Sequence, residues 1–239
     1  VLTDNYSSST LSANYIDNDA MLRIYQDSAG HNYVHYLIEP ARLTFEEYQG
    51  RYMSNLEVNG QISDPDGKTV YQFERKIPIE FNQEQLSSIQ NKLFSYQDMF
   101  PLIPGRHRIS VLMKNTVSKE FTSFEKEVVI PEPGDLRMSE LVLANRMERN
   151  SRYQGQNKPF VVDGAQLVPS PRNDFLPQDT IYLYFQIQGL TEDLKDGAVL
   201  KYTITRDEEP IHTSEKNVKD YPGQTHFFEE FKLENLRAA

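Results

Sequence analysis

Three observations predict an all-β chain, built as two tandem immunoglobulin- or fibronectin-like antiparallel β-sandwiches with one short helix in the first. Runs of β-branched and aromatic residues alternate inward and outward, turn signals separate them every 8 to 12 residues or so, and one stretch alone carries a helical period. The 239 residues allow two domains of about 110 residues each. With 38% hydrophobic and 25% charged residues, the chain can bury a core and is not a disordered polymer.

Residues 1–19 hold Ser, Asn and Asp without a period of 2 or 3.6, and read as an N-terminal tail or linker. Within them Asn5-Tyr6-Ser7 matches a glycosylation sequon, a pattern so short that it recurs by chance. The first sandwich is expected over 20–130. Its early run, Tyr33 to Ile38, ends at Glu39-Pro40, because proline has no N–H to give a central ladder. From Arg51 to Ile62, Tyr52, Leu56, Val58 and Ile62 share one face, with Asn55, Glu57, Asn59 and Gln61 on the other. Asp64-Pro65-Asp66-Gly67 then turns the chain into Thr69–Ile79, where Tyr71, Phe73, Ile77 and Ile79 alternate, so a hairpin is predicted. Asn82 can cap a short helix with Gln85 completing a capping box, and Leu86, Ile89 and Leu93 repeat along one face. Pro104-Gly105 leads into Arg106–Lys114, whose inward set is His107, Ile109, Val111 and Met113, and Phe121–Ile130 closes the unit.

Residues 131–135, Pro-Glu-Pro-Gly-Asp, cannot continue a ladder and are expected to form a stiff linker. The second sandwich follows over 136–239, with strands predicted at Ser139–Ala144, Pro159–Asp163, Asp179–Gln188, Ala198–Arg206, Ile211–Val218 and His226–Leu233. Within Asp179–Gln188 an apolar stripe of Ile181, Leu183, Phe185 and Ile187 opposes Tyr182, Tyr184, Gln186 and Gln188. The stretch Phe231–Ala239 is like the one before Pro104-Gly105, after which the first unit adds its closing hairpin. Two readings follow: the second sandwich lacks one or two final strands, leaving an open edge for another chain, or it is complete with a different strand order.

Composition and spacing exclude several chemistries. A net charge of −10 argues against nucleic-acid binding. No apolar run approaches the roughly 18 residues of a membrane span, and the amino end lacks the basic and apolar regions of a signal peptide, so the sequence reads as a mature or excised fragment. Without cysteine there is no disulfide, thiolate metal site or cysteine nucleophile. Gly67-Lys68-Thr69 fails as a phosphate loop because Ile62 stands where a glycine is required. Asp64 and Asp66 fail as a calcium loop because Thr69 and Arg75 occupy its glycine and its bidentate acid. His31 and His35, four apart in a β context, lie about 13 Å from each other and cannot share a metal. The five histidines are assigned to surface or packing. Glu46-Glu47, Glu229-Glu230 and Asp207-Glu208-Glu209 read as solvated faces and turns, since strand neighbours point to opposite sides. Thus no catalytic residue, metal ligand or cofactor is predicted. The candidate binding residues are Tyr182 and Tyr184, which either cover a domain contact or form an aromatic strip able to stack on a sugar or a protein partner.

Ser139–Ala144, then Phe160-Val161-Val162-Asp163-Gly164, Leu167-Val168-Pro169, Phe175 and Ile181–Ile187, together resemble the region that follows the GWxTD domain in bacterial envelope-associated proteins. The first unit, with its Pro40 break, Asp64–Gly67 hairpin and Pro104-Gly105 turn, is similar to the sandwich before it. The resemblance covers most of residues 20–233, while the Gly-Trp-x-Thr-Asp signature itself is absent, there being no tryptophan. It implies an extracytoplasmic setting, in the periplasm or cell envelope, and no established catalytic residues. The expected function is a non-enzymatic interaction or structural module with a protein partner. The alternative is a polysaccharide-binding or substrate-positioning appendage of an envelope enzyme.

Overall fold

The computed structural model describes residues 14–89, 94–132, 134–221 and 225–236. Among them the chain is mostly β-structure, with two short α-helices and several antiparallel sheets of the β-sandwich class. In order, the strands are β1 (Asn18–Gln26), β2 (Asn32–Pro40), β3 (Glu46–Tyr48), β4 (Arg51–Ser63), β5 (Thr69–Asn82), β6 (Tyr96–Pro101), β7 (Gly105–Asn115) and β8 (Phe121–Ile130). They continue as β9 (Arg137–Met138), β10 (Val142–Arg149), β11 (Val161–Val162), β12 (Ala165–Pro169), β13 (Thr180–Gln188), β14 (Val199–Arg206), β15 (Glu209–Asn217) and β16 (His226–Lys232). The helices are α1 (Gln83–Ile89) and α2 (Glu192–Lys195).

By internal contacts the residues form two units. Unit 1 holds Val1–Met21, Leu37–Tyr96 and Gly105–Ile130, and unit 2 holds Leu22–Tyr36, Gln97–Pro104 and Pro131–Ala239. Proline 131 does mark where the chain leaves unit 1 for the last time. The contiguous division at 131–135 read from composition nevertheless differs from this grouping, because 22–36 and 97–104 are counted with the second unit. Residues 22–36 meet the rest of unit 2 through side chains, Tyr25 with Tyr184, Gln26 with Gln186 and His35 with Phe160. A proline-rich spacer records only the last crossing.

In unit 1 the long sheet places β4 between β5 on one side and β3 and β7 on the other, with β8 beyond β7. The alternation expected for β4 and β7 is what the core uses: Leu56, Val58, Ile62, Ile109, Val111 and Met113 are all buried. In the β4–β5 turn Asp64 Oδ1 accepts the N–H groups of Asp66 and Lys68 at 3.0 and 2.9 Å, and Gly67 takes the positive φ the turn requires. Asn82 and Gln85 exchange side-chain and backbone hydrogen bonds at 2.8 and 2.9 Å, the reciprocal cap predicted for α1. Leu93, the last residue of that apolar repeat, lies outside the described residues, as does the Asn5 sequon. Gly60, buried in the middle of β4, is covered by the Phe73 ring of β5. A Cβ there would lie 2.1 Å from the nearest ring carbon.

In unit 2 the main sheet runs β11-β12-β10-β13-β16, and β9 pairs with β13 beyond the end of β10. The strand expected at Ser139–Ala144 is displaced to 142–149. A register shift between Ala144 and Arg146 lets β10 pair with β13 through its first residues and with β12 through the rest. One face of β13 and β16 stacks Phe185 on Phe227, 5.1 Å apart, and buries them with Val218 against Leu200, Tyr202 and Tyr221. Leu200 and Tyr202 come from β14 of the β14–β15 hairpin, whose two strands pair only with each other among the described residues. The hairpin is tied down by polar bonds as well. Tyr221 donates its hydroxyl to Glu229 Oε1, Lys216 Nζ donates to Glu229 Oε2 at 2.6 Å, and the Tyr202 and Tyr221 hydroxyls are 2.9 Å apart. Burial first, and then Glu229 and Tyr202, hold the Tyr221 phenol far above its ordinary pKa. Glu229 is therefore not part of a solvated face: it is 8% exposed and paired.

Candidate functional site

The opposite face of β13 is where the sequence reading and the structure diverge. Tyr184, Gln186 and Gln188 are buried, Tyr184 against Tyr25 and Gln186 against Gln26. Gln186 accepts the Gln26 N–H at 2.8 Å through Oε1 and donates to the Gln26 carbonyl at 2.7 Å, a bond pair normally made by a strand backbone. Tyr184 is fully buried, its ring packed edge-on against Tyr25 with centroids 5.1 Å apart and its hydroxyl 2.9 Å from His226 Nδ1. Burial pushes that phenol well above its ordinary pKa. Tyr182 is half-buried on the same strand. The pair is divided, one ring sealed in the core and the other at its margin. Tyr184 is covered by Tyr25, a residue of the segment that the sequence reading assigned to the first sandwich.

What unit 2 does present is a recess of about 500 Å³. One wall is the β1–β2 turn. Asp27 Oδ1 accepts the N–H groups of Ala29 and His31, both at 2.9 Å, its Oδ2 lies 3.1 Å from His31 Nδ1, and Gly30 supplies the positive φ. Slight burial works against ionisation of Asp27, but the bonds from His31 and Ala29 outweigh it and hold the carboxyl below its usual range. A second wall is the polar loop Tyr153–Asn157, positioned by a single 3-10 turn that Asn150 caps through its side chain at 3.0 Å. The third is β11 with the two-residue turn into β12, Asp163-Gly164, where both residues have positive φ as a tight hairpin of this hand demands.

The inner boundary is aromatic and histidine-rich: Tyr25, His35 and His226. His35 Nδ1 accepts the Phe160 N–H at 2.9 Å, which places the proton of the neutral ring on Nε2. Burial drives the pKa of His35 down to about 3, so it is uncharged at neutral pH, and burial also lowers that of His226. Phe160, fully buried, has φ 51°, a left-handed conformation that a bulky residue adopts only where its surroundings hold it. Two buried polar atoms on the lining residues, Tyr25 Oη and Gln156 Oε1, have no hydrogen-bond partner among the described residues. Among the described residues no lysine or arginine lines the recess. Among the described residues no three His, Asp or Glu side chains gather as a metal-ligand set.

Tyr182 and Tyr184 do not line this recess, although Tyr184 touches its boundary through His226. Two of its walls carried sequence signals. Asp163-Gly164 is the strongest short hairpin dipeptide, and Gln154-Gly155-Gln156-Asn157 is an amide-rich turn. The inward placement of His35 and Tyr25 depends on which sheet covers them and has no local mark.

Fold and recess together define a β-sandwich-class protein with a polar, aromatic-edged cleft in its second unit. No family model matches the chain, and no curated protein matches it. Three solved structures of Bacteroides uniformis β-glucuronidases are similar to it over about half of its length. A calcium-binding mutant of β-glucuronidase 2 is 12% identical over 51% of this chain, with a TM-score of 0.33. The same enzyme covalently bound to cyclophellitol-6-carboxylate aziridine is 10% identical over 52%, with 0.32. A further β-glucuronidase is 13% identical over 51%, with 0.31. The chain spans only 14–15% of the length of those proteins. Among the described residues no helix is long and apolar enough to cross a membrane.

Proposed function

We propose that this chain is a non-enzymatic interaction module that takes an extended segment of a protein partner at the edge of the β14–β15 hairpin. The observation that carries the reading is that these two strands, of which β14 packs Leu200 and Tyr202 on Phe185 and Phe227, pair only with each other among the described residues. An unpaired strand offers a row of N–H and C=O groups at the spacing that an incoming strand needs. Strand β14, Val-Leu-Lys-Tyr-Thr-Ile-Thr-Arg, has high β propensity and contains neither proline nor glycine, and Val199 is 53% exposed. Strand β15 carries Pro210 near its start, which makes β14 the more receptive edge. A bacterial extracytoplasmic setting belongs to the same proposal and is supported by the GWxTD-like order of segments.

The cysteine-free chain makes the test clean. A photo-crosslinker attached at Thr203→Cys on β14, compared with one at Gln72→Cys on the exposed face of β5, is exposed to envelope extract, and the captured protein is then purified. Addition of that protein to the parent chain should slow amide exchange along 199–206 selectively. Equal capture from both positions, or unchanged exchange in β14, would remove the proposal.

A further inference from the structure

We infer that the recess of unit 2 is a binding site for a neutral polyhydroxylated ligand, a mono- or disaccharide unit. The site is separate from the β14–β15 edge, and neither reading depends on the other. Its volume of about 500 Å³ falls within the roughly 300 to 1,000 Å³ of small-molecule sites.

Charge narrows the ligand. Among the described lining residues the ionisable side chains are Asp27 and Asp163, together with tyrosines and with histidines whose pKa burial lowers; Arg152, stacked over the Tyr153 ring, is already committed to Glu148. A metal ion is disfavoured by the absence of a three-ligand set among the described residues, and by Asp27, whose oxygens already accept from Ala29 and His31. A ligand with hydroxyl groups meets what remains. One alcohol can both donate and accept, as a lining of amides and a carboxylate requires. The Asn157 amide and the Asp163 carboxylate add the mixed donor and acceptor lining that ring hydroxyls use, while the Tyr33 and Tyr153 rings supply apolar faces for ring C–H groups. The hollow is also held open. The Phe160 backbone sits in a left-handed conformation fixed by the bond to His35, and the Asp163-Gly164 turn sets the rim.

The test is saturation-transfer NMR on the full chain with glucose, galactose, mannose, N-acetylglucosamine and cellobiose, each at millimolar concentration. Glucuronate, inorganic phosphate and calcium serve as comparison ligands, read through backbone amide shifts of 153–164. At least one neutral sugar should show transfer and shift those amides. Gln154→Leu and Asn157→Leu should each weaken its binding roughly 3- to 10-fold, the loss expected for one hydrogen bond. Both side chains are exposed, so neither change should lower the thermal midpoint. Tyr48→Phe, in unit 1, should change nothing. The inference fails if no neutral sugar binds, if both recess variants bind as tightly as the parent, or if glucuronate, phosphate or calcium shifts the recess amides more than any neutral sugar.

Discussion

Acid should loosen unit 2 through one buried imidazole. His35 is 4% exposed, its Nδ1 accepts the Phe160 N–H, and burial holds its pKa near 3, against about 6.5 for an unfolded chain. The depressed value means that the unfolded state binds a proton where the folded state does not. The associated stability is therefore complete above the unfolded value and drains away as pH falls from there towards 3. At about pH 5 the unfolded imidazole is almost wholly protonated and the folded one almost wholly neutral, a difference of about 1.5 pH units or about 2 kcal/mol lost relative to about pH 7.5. Carboxylates contribute little across that interval, because Asp27 and Glu120, both lowered in the fold, lose their share only at and below their unfolded values near pH 4. Burial lowers His226 as well and adds loss of the same sign. The assay is urea unfolding followed by far-UV circular dichroism at both pH values, for the parent and for His35→Asn, whose side-chain oxygen can still accept the Phe160 N–H. The variant should be less stable at both values, because a buried ring is lost, but its decline between them should be smaller by about 2 kcal/mol. Equal declines in the two proteins would refute the assignment.

Two other perturbations have definite signs. Gly60→Ala should destabilise unit 1 by about 1–3 kcal/mol, since the new methyl must displace the Phe73 ring. In a Phe73→Ala background the same change should become stabilising by about 0.5–1 kcal/mol, as alanine replaces glycine in a strand; a thermodynamic cycle by urea unfolding checks the reversal. At Glu229, substitution by alanine should cost about 1–3 kcal/mol, because it removes a buried carboxylate that accepts from both the Tyr221 hydroxyl and Lys216. Lys216→Met should cost under about 1 kcal/mol, the lysine being half-exposed. Thermal midpoints of the two variants in the opposite order would contradict this account of the network.

Much of the fold was legible in period-2 patterning, and the exceptions are instructive. The β4–β5 hairpin, the α1 cap and β7 with its inward set His107, Ile109, Val111 and Met113 stand where alternation and turn chemistry predict them, because each depends on neighbours in sequence. Strands β1, β3, β6 and β12 carried too little alternation to be read. The Asn18–Ala20 start of β1 looks like the end of a polar tail, and β6 ends in Pro101. The more consequential miss concerns β13. Alternation opposed Leu183 and Phe185 to Tyr184 and Gln186, but the polar character of the second set left a covered contact and an open strip equally readable. A glutamine that replaces a backbone partner, as Gln186 does for Gln26, looks the same in sequence as one that faces water. The recess was hidden for a related reason. Its walls come from residues near 27, 155 and 163, and its inner boundary from 25, 35 and 226, so the constellation exists only once the sheet order is known.

The discontinuous make-up of the two units limits how this polypeptide can be cut. Severing it after residue 130, the place a geneticist would choose from the proline-rich stretch, sends Leu22–Tyr36 and Gln97–Pro104 away with the wrong half. Tyr25 and His35, both sealed in the intact chain, would lose Tyr184 and Phe160 in the amino-terminal piece, while the carboxy-terminal piece would lack the residues that shelter Tyr184 and Phe160. Each product would tend to clump. Recombination in such a gene preserves function when it exchanges the whole span, and separate expression of the halves will report on damaged goods.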